Sequence, residues 1–379
     1  MPKLLYLFSE DWAFSHFFLP MVRAARAAGF EVVVATRVRN HADRIAAAGC
    51  RVVPLEAERR SLNPIEMVRG MARIARIVRD ERPDVVHCIA LRMVVLGALA
   101  ARLAGARDLV LAPTGLGHLW VENGPIERLA RPLVRLLVGR LLRSRRTQYL
   151  FENVDDPREF GLDPVGPDVT VVGGTGIDPA LFPFTAEPPA PPVKVAIVAR
   201  MIVPKGIAEA VAAIGRARQQ GAAVELDIYG APDPSNRRSY SDSEVRRWSA
   251  EPGVTWHGPT NDVGRVWREH HIAMLLSYRE GLPRSLVEAA ASGRPVVTTD
   301  VPGCREAVRD RVEGLVVPLG NIEAAAGALV ELARDPALRA QLGKAANARF
   351  NERFTVGAVE QVISGLYRRI LASLGPDAR

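Results

Sequence analysis

The chain has 379 residues, a formal net charge of +8 and a sequence pI near 9.8. Its apolar share, 48%, is ordinary for a globular protein, so the length predicts two domains with cores of their own and excludes a disordered or fibrous chain. The separated cysteines Cys50, Cys88 and Cys304 exclude a disulfide framework and point to a reducing compartment.

Strand-like and helix-like segments alternate from the start. Leu4–Phe8 reads as a buried strand, too short an apolar run for a signal-peptide core, and no later run approaches the ~20 apolar residues of a membrane-crossing helix. Next come a helix over Leu19–Ala28 stopped by Gly29, a strand over Glu31–Thr36, a helix over His41–Ala48 stopped by Gly49, and a strand over Arg51–Pro54. Pro64–Glu81 spaces Ile65, Val68, Met71, Ala75 and Val78 as one face of a helix, and Val85–Cys88 and Leu109–Ala112 add strands. Ser15-His16 and Thr114-Gly115-Leu116-Gly117-His118 each follow a strand, where a histidine can serve hydrogen bonding or proton transfer, or simply structure.

The segment Pro125–Arg146 mixes Leu129, Leu133, Leu136, Leu137, Leu141 and Leu142 with Arg128, Arg131, Arg135, Arg140, Arg143, Arg145 and Arg146. It fits a helix lying on an anionic membrane surface, and equally a domain helix with a core stripe and solvated arginines. Aromatic residues are not interleaved with these cations, which argues against nucleic acid. After strand Val169–Val172, the glycines of Gly173-Gly174-Thr175-Gly176 suit either an interdomain turn or close approach to a ligand. Pro183–Pro192 is the best linker candidate.

Beyond it the alternation restarts. Strands are predicted over Lys194–Ala199, Val224–Tyr229, Val254–His257, Ile272–Leu276 and Pro295–Thr299. Helices are predicted over Gly206–Gln219, Ser285–Ser292, Ile322–Arg334, Pro336–Phe350 and Val356–Leu374, with a polar loop over Ala231–Ser243. This is the pattern of parallel sheets covered on both faces, and the reading is α/β with two doubly wound domains facing across a cleft. The expected boundaries are 1–182, 183–355 and a last helix, 356–379, for which a crossing back to the first domain is one expectation.

Charged groups gather at two predicted strand-to-helix turns. Arg200 and Lys205, before Gly206, suit a clamp on a diphosphate, though two solvated cations would look the same. Glu280-Gly281-Leu282-Pro283 and Glu288 place two carboxylates around the start of a helix, where they can accept hydrogen bonds from ligand hydroxyls while backbone N–H groups meet an anion. Ser285-x-x-Glu288 also has capping-box spacing, so Glu288 can equally serve its own helix.

The ordered set Gly176-Ile177-Asp178, Arg200…Lys205-Gly206, Glu280-Gly281-Leu282-Pro283…Glu288-Ala289, Gly293-Arg294-Pro295, Pro302-Gly303…Glu306 and Glu313-Gly314-Leu315-Val316-Val317-Pro318 resembles the family-4 retaining glycosyltransferases. Trp12…Ser15-His16 and Phe151-x-Asn153-x-Asp155-Asp156 are similar to the subgroup that acts on undecaprenyl-diphosphate-linked saccharides in bacterial surface-glycan assembly. The resemblance implies the GT-B fold, two Rossmann-like domains with a donor-binding second half. It also implies a metal-independent hexosyltransferase with no cofactor, only a nucleotide-diphosphate sugar, UDP foremost, as donor. Glu288 would hold the ribose, Glu280 the donor hexose, and Arg200, Lys205 and the backbone near Gly281 and Leu282 the diphosphate. Thr114 stands where many members carry the sugar-contacting histidine, leaving His16 or His118 to serve. The partners implied are the nucleotide sugar, a polyprenyl-diphosphate-linked saccharide and the cytoplasmic face of the cell membrane. A nucleotide-sugar epimerase and a transferase with a soluble acceptor are the alternatives on the same fold.

Overall fold

The structure, a computed structural model, describes residues 1–56, 63–122, 124–234 and 236–374, with His118 described by its backbone alone. Its internal contacts divide the chain into two units, Met1–Gly176 together with the chain from Val356 onward, and Ile177–Thr355.

The first unit holds strands β1 (Lys3–Glu10), β2 (Glu31–Arg37), β3 (Arg51–Pro54), β4 (Val85–Ile89), β5 (Asp108–Ala112), β6 (Thr147–Phe151) and β7 (Val169–Val171). They form one parallel sheet in the order β3-β2-β1-β4-β5-β6-β7. Side chains along β1 alternate between two cores, as a pleated strand requires. Leu4 and Tyr6 pack with Val32, Val34 and the helices Leu19–Ala28 and Val356–Ser373, while Leu5 and Leu7 pack with Val33, Ile74 and Ala101 on the other face. The last helix is keyed by Tyr367, whose hydroxyl lies 2.6 Å from that of Tyr6 and 2.8 Å from His87 Nδ1. Burial pushes the His87 imidazole down to about 3, so it stays neutral in that core.

The helix Pro125–Leu136 continues through a wide turn over Leu137–Leu141. Val138 and Leu142 are buried and Val134 and Leu137 pack on the core, so one face is an ordinary core stripe. The other face is apolar too, with Ile126, Leu129, Leu133 and Leu136 from 46% to 70% exposed. Strand β6, directly after this segment, was not anticipated from the sequence.

The second unit holds β8 (Val193–Val198), β9 (Val224–Tyr229), β10 (Val254–Gly258), β11 (Ile272–Leu275), β12 (Val296–Thr299) and β13 (Gly314–Val317). They are parallel in the order β10-β9-β8-β11-β12-β13. The strand order reverses between β8 and β11, the switch point where the following loops diverge and leave a crevice. Pro183–Pro192 is strapped along this unit. His271 Nε2 lies 3.0 Å from Pro188 O, buried Arg294 donates to Ala186 O, and buried Arg339 pairs with Glu187 at 3.1 Å. Within the predicted polar loop Ala231–Ser243, Ser235 lies outside the described residues. The loop ends earlier than expected, because Ser241 and Glu244 form a reciprocal capping box that starts a helix over Asp242–Trp248.

Candidate active site

Three loops after adjacent strands of the second sheet are fastened together. After β8 the chain runs Ala199 to Lys205 and enters the helix Ile207–Gln219 through Gly206, which has φ of +67°. A Cβ on Gly206 would meet the carbonyl oxygen of Leu276 at 2.0 Å, so only glycine lets this loop close onto the end of β11. Tyr278 N then donates to Pro204 O at 2.9 Å, and Glu280 N to Pro302 O at 3.2 Å beyond β12. Gly303, with φ of +79°, packs against the Glu280 and Gly281 carbonyls, where a Cβ would lie 2.5 Å from Gly281 O.

This stitching brings Lys205 Nζ to 2.5 Å from Glu280 Oε1, across the switch point. Ser277 Oγ donates to the same oxygen at 2.6 Å, so two donors fix Oε1. Both side chains of the ion pair are mostly screened from solvent, 19% exposed for Lys205 and 12% for Glu280. Behind the pair the Cys304 thiol is buried, and burial with the nearby Glu280 charge pushes it up to about 12.

Glu288 lies on the helix Arg284–Ala291, whose N-cap is Pro283 with no side-chain capping bond. Its residue is therefore past the first turn, and the capping-box alternative does not apply. Glu288 is 7% exposed and accepts a hydrogen bond from Arg284 Nε at 2.8 Å. Burial pushes its carboxyl up to about 7, and the partly exposed guanidinium of Arg284 only partly opposes the shift. A carboxyl held near neutrality in a dry site gains from any ligand hydroxyl that donates to its ionised form.

Of the residues singled out from sequence, Lys205 and Glu280 are in direct contact. Arg200 is not part of that pair; it is 59% exposed and bridges to Asp233 Oδ2 at 3.1 Å. Gly281 and Leu282 lie between Glu280 and the helix that carries Glu288. In the first unit, His16 is exposed on the helix Asp11–Phe17 after β1, while Ser15 is buried and donates to Trp12 O. His118 begins a four-residue helix beyond β5, and its side chain lies outside the described residues. Sequence reading missed Ser277 and Arg284, which orient the two carboxylates, and Asp233, which holds Arg200. A serine just beyond a buried strand was the available signal. Among the described residues no group of three or more His, Cys, Asp or Glu side chains is placed to hold a metal ion, and no helix is long and apolar enough to cross a membrane.

Two Rossmann-like sheets in one chain make this a GT-B protein, and solved structures agree. Anabaena HepE, solved with UDP and glucose, superimposes with a TM-score of 0.74 at 17% identity over 99% of this chain and 100% of that one. Sucrose-phosphate synthase from Thermosynechococcus elongatus gives 0.78 at 20% identity, over 99% of this chain and 100% of that one. Residues 3–147 match the "Glycosyl transferase 4-like" family and residues 192–335 match "Glycosyl transferases group 1". The N,N'-diacetylbacillosaminyl-diphospho-undecaprenol alpha-1,3-N-acetylgalactosaminyltransferase of Campylobacter jejuni is 24% identical over 95% of this chain and 96% of its own length. The chain is a glycosyltransferase, its two halves matching these two families.

Proposed function

We propose that this enzyme transfers a hexose or N-acetylhexosamine, with retention and without a metal, from a UDP-sugar to a polyprenyl-diphosphate-linked saccharide. The observation that carries the reading is the Lys205–Glu280 pair at the switch point, 2.5 Å apart, with buried Glu288 on the adjoining helix. Lys205 faces the diphosphate and stabilises the charge that grows on it as the glycosidic bond breaks. Glu280 keeps Lys205 oriented through Oε1 and offers Oε2 to a hydroxyl of the donor sugar. Glu288 accepts from the ribose. Arg200 swings from Asp233 to the diphosphate. His16 and His118 are the acceptor-side candidates.

The acceptor class rests on the Campylobacter relative, which is named for a lipid-diphosphate substrate. A peripheral position on the cytoplasmic face of the membrane is supported by the exposed row Ile126, Leu129, Leu133 and Leu136 beside Arg128 and Arg140, a face that suits an anionic bilayer surface. The test is transfer from radiolabelled UDP-sugars to an undecaprenyl-diphosphate-linked saccharide, with the anomeric configuration of the product read by proton NMR. A product of inverted configuration rejects the retaining mechanism. Isomerisation of the UDP-sugar without acceptor rejects transfer in favour of epimerisation. Flotation with phosphatidylglycerol vesicles is expected to weaken in Leu129→Ser/Leu133→Ser, and unchanged flotation rejects that surface.

A further inference from the structure

Ligands of doubly wound sheets bind at the carboxyl ends of the strands, yet the first unit carries a cationic cavity at the opposite edge. A cavity of about 110 Å³ opens where β4, β5 and β6 begin, with Val85, Asp108, Arg145, Arg146, Gln148 and Arg369 in its lining. Arg145 and Arg146 sit on the turn before β6, and Arg369 reaches in from the helix Val356–Ser373. One carboxylate stands against three guanidinium groups, and it is already engaged: Asp108 Oδ2 pairs with Arg146 at 3.2 Å. Arg369 donates to the neutral hydroxyl of Thr170 at 2.9 Å, and among the described residues neither Arg369 nor Arg145 has a carboxylate partner. Among the described residues, two cationic charges are therefore left without a counter-charge around a concave space.

The turn is also rigidly built. Arg102 Nη2 donates to Ser144 Oγ at 3.0 Å and to Thr147 Oγ1 at 2.9 Å, Ser144 Oγ accepts from Arg146 N at 3.2 Å, and Thr147 Oγ1 donates to Leu142 O at 2.7 Å. Three arginines dispersed on a solvated surface would need no such scaffold. Forked guanidinium groups held around a pocket are suited to a tetrahedral oxyanion, which they meet with paired charge-assisted hydrogen bonds.

We propose that Arg145, Arg146 and Arg369, with Gln148, form a phosphate-binding site at the amino-terminal edge of the first sheet, separate from the nucleotide-sugar site. Its chemistry is that of a phosphate group, supplied either by a phospholipid headgroup or by a free phosphate. The site recruits the enzyme to phosphate-bearing surfaces or reports phosphate level, and it takes no part in sugar transfer.

The test uses full-length Lys205→Ala protein, so that the cation proposed for the donor diphosphate is absent. Inorganic phosphate is titrated and the melting temperature followed, since a ligand of the folded state raises it. A rise that is lost, or displaced to at least roughly tenfold higher phosphate, in Arg145→Glu supports the site. Arg145 is exposed and has no partner among the described residues, so this variant should fold; Arg369→Gln, checked for an unchanged melting temperature without phosphate, should act the same way. In a second arm, phosphatidylglycerol and phosphatidylcholine vesicles are compared in flotation. Selective phosphatidylglycerol binding that falls in both variants assigns the site to a lipid headgroup, whereas a phosphate response without such binding assigns it to free phosphate. No response in either arm, or responses that both variants leave unchanged, overturns the proposal.

Discussion

The two sheets share the strand order 3-2-1-4-5-6 in their own counting, the first adding a seventh strand at its edge, yet they use their carboxylates at the strand ends in opposite ways. In the first unit Asp11, just after β1, is 1% exposed and accepts from the backbone N–H groups of Arg39 at 2.7 Å and His41 at 2.9 Å. Both bonds fall on Oδ2 and fix a loop through its backbone. In the second unit Glu280 is held by a lysine ammonium and a serine hydroxyl, side-chain partners that a ligand can share or displace. A carboxylate bonded to backbone is architecture; one bonded to side chains at a switch point is available for chemistry.

The sharpest way to break that comparison is to remove charge from each place. Lys205→Ala and Glu280→Gln should each lower kcat about 10²- to 10³-fold, the usual loss when a preorganised stabilising group is removed, with melting temperatures close to the parent. Asp11→Asn should do the reverse, with turnover kept at a temperature where the protein is folded and stability reduced by about 1–3 kcal/mol. Burial alone would push the Asp11 carboxyl up, but the N–H groups of Arg39 and His41 outweigh it and hold it below the ordinary carboxylate range. Its contribution is therefore present above that range and is lost as pH falls through the depressed value. Equal kcat losses in Asp11→Asn and Lys205→Ala would erase the distinction.

Glu288 gives the next effect, and its sign is opposite. Its carboxyl is raised to about 7, so the folded protein holds a proton that the unfolded chain releases near 4.5. Stability is then greatest below the unfolded value and declines as pH rises from about 4.5 to about 7, by about 3 kcal/mol in total. Chemical denaturation across that window should show the decline in the parent and not in Glu288→Gln. Donor affinity should run the other way, weakening as pH falls below about 7, because ribose hydroxyls donate best to the ionised carboxylate. A parent whose stability and UDP affinity are both flat in pH removes Glu288 from the site.

Much of this was legible in the sequence because buried parallel strands announce themselves: Leu4–Phe8 and Ile272–Leu276 have no other economical reading. Strand β6 was hidden because the arginine–leucine run before it carries a helical period that masks the short segment Thr147–Phe151. Lys205 and Glu280 could be nominated from their place after strands, but their contact depends on Gly206 closing onto Leu276, a packing fact that spacing does not encode. Glu288 was ambiguous because capping-box spacing needs the helix to start after Ser285, and Pro283 starts it earlier. The pairing of Arg200 with Asp233 joins two loops whose proximity follows only from β8 lying beside β9.

Arg200 yields the smallest expected effect and the finest test of the comparison. Its guanidinium is 59% exposed and its bridge to Asp233 is a surface ion pair, worth about 0–1 kcal/mol, so Arg200→Ala should leave stability nearly unchanged. If Arg200 leaves Asp233 for the diphosphate, its loss raises the donor KM roughly tenfold, a charge-assisted hydrogen bond's worth, and flattens the salt dependence of KM. Asp233→Asn should then lower KM slightly, because it frees Arg200 without altering the lysine–glutamate pair. Wild-type kinetics in both variants would make Arg200 a solvated cation and leave Lys205 to face the diphosphate, drawing the line between architectural and available charge through the second unit itself rather than between the two sheets.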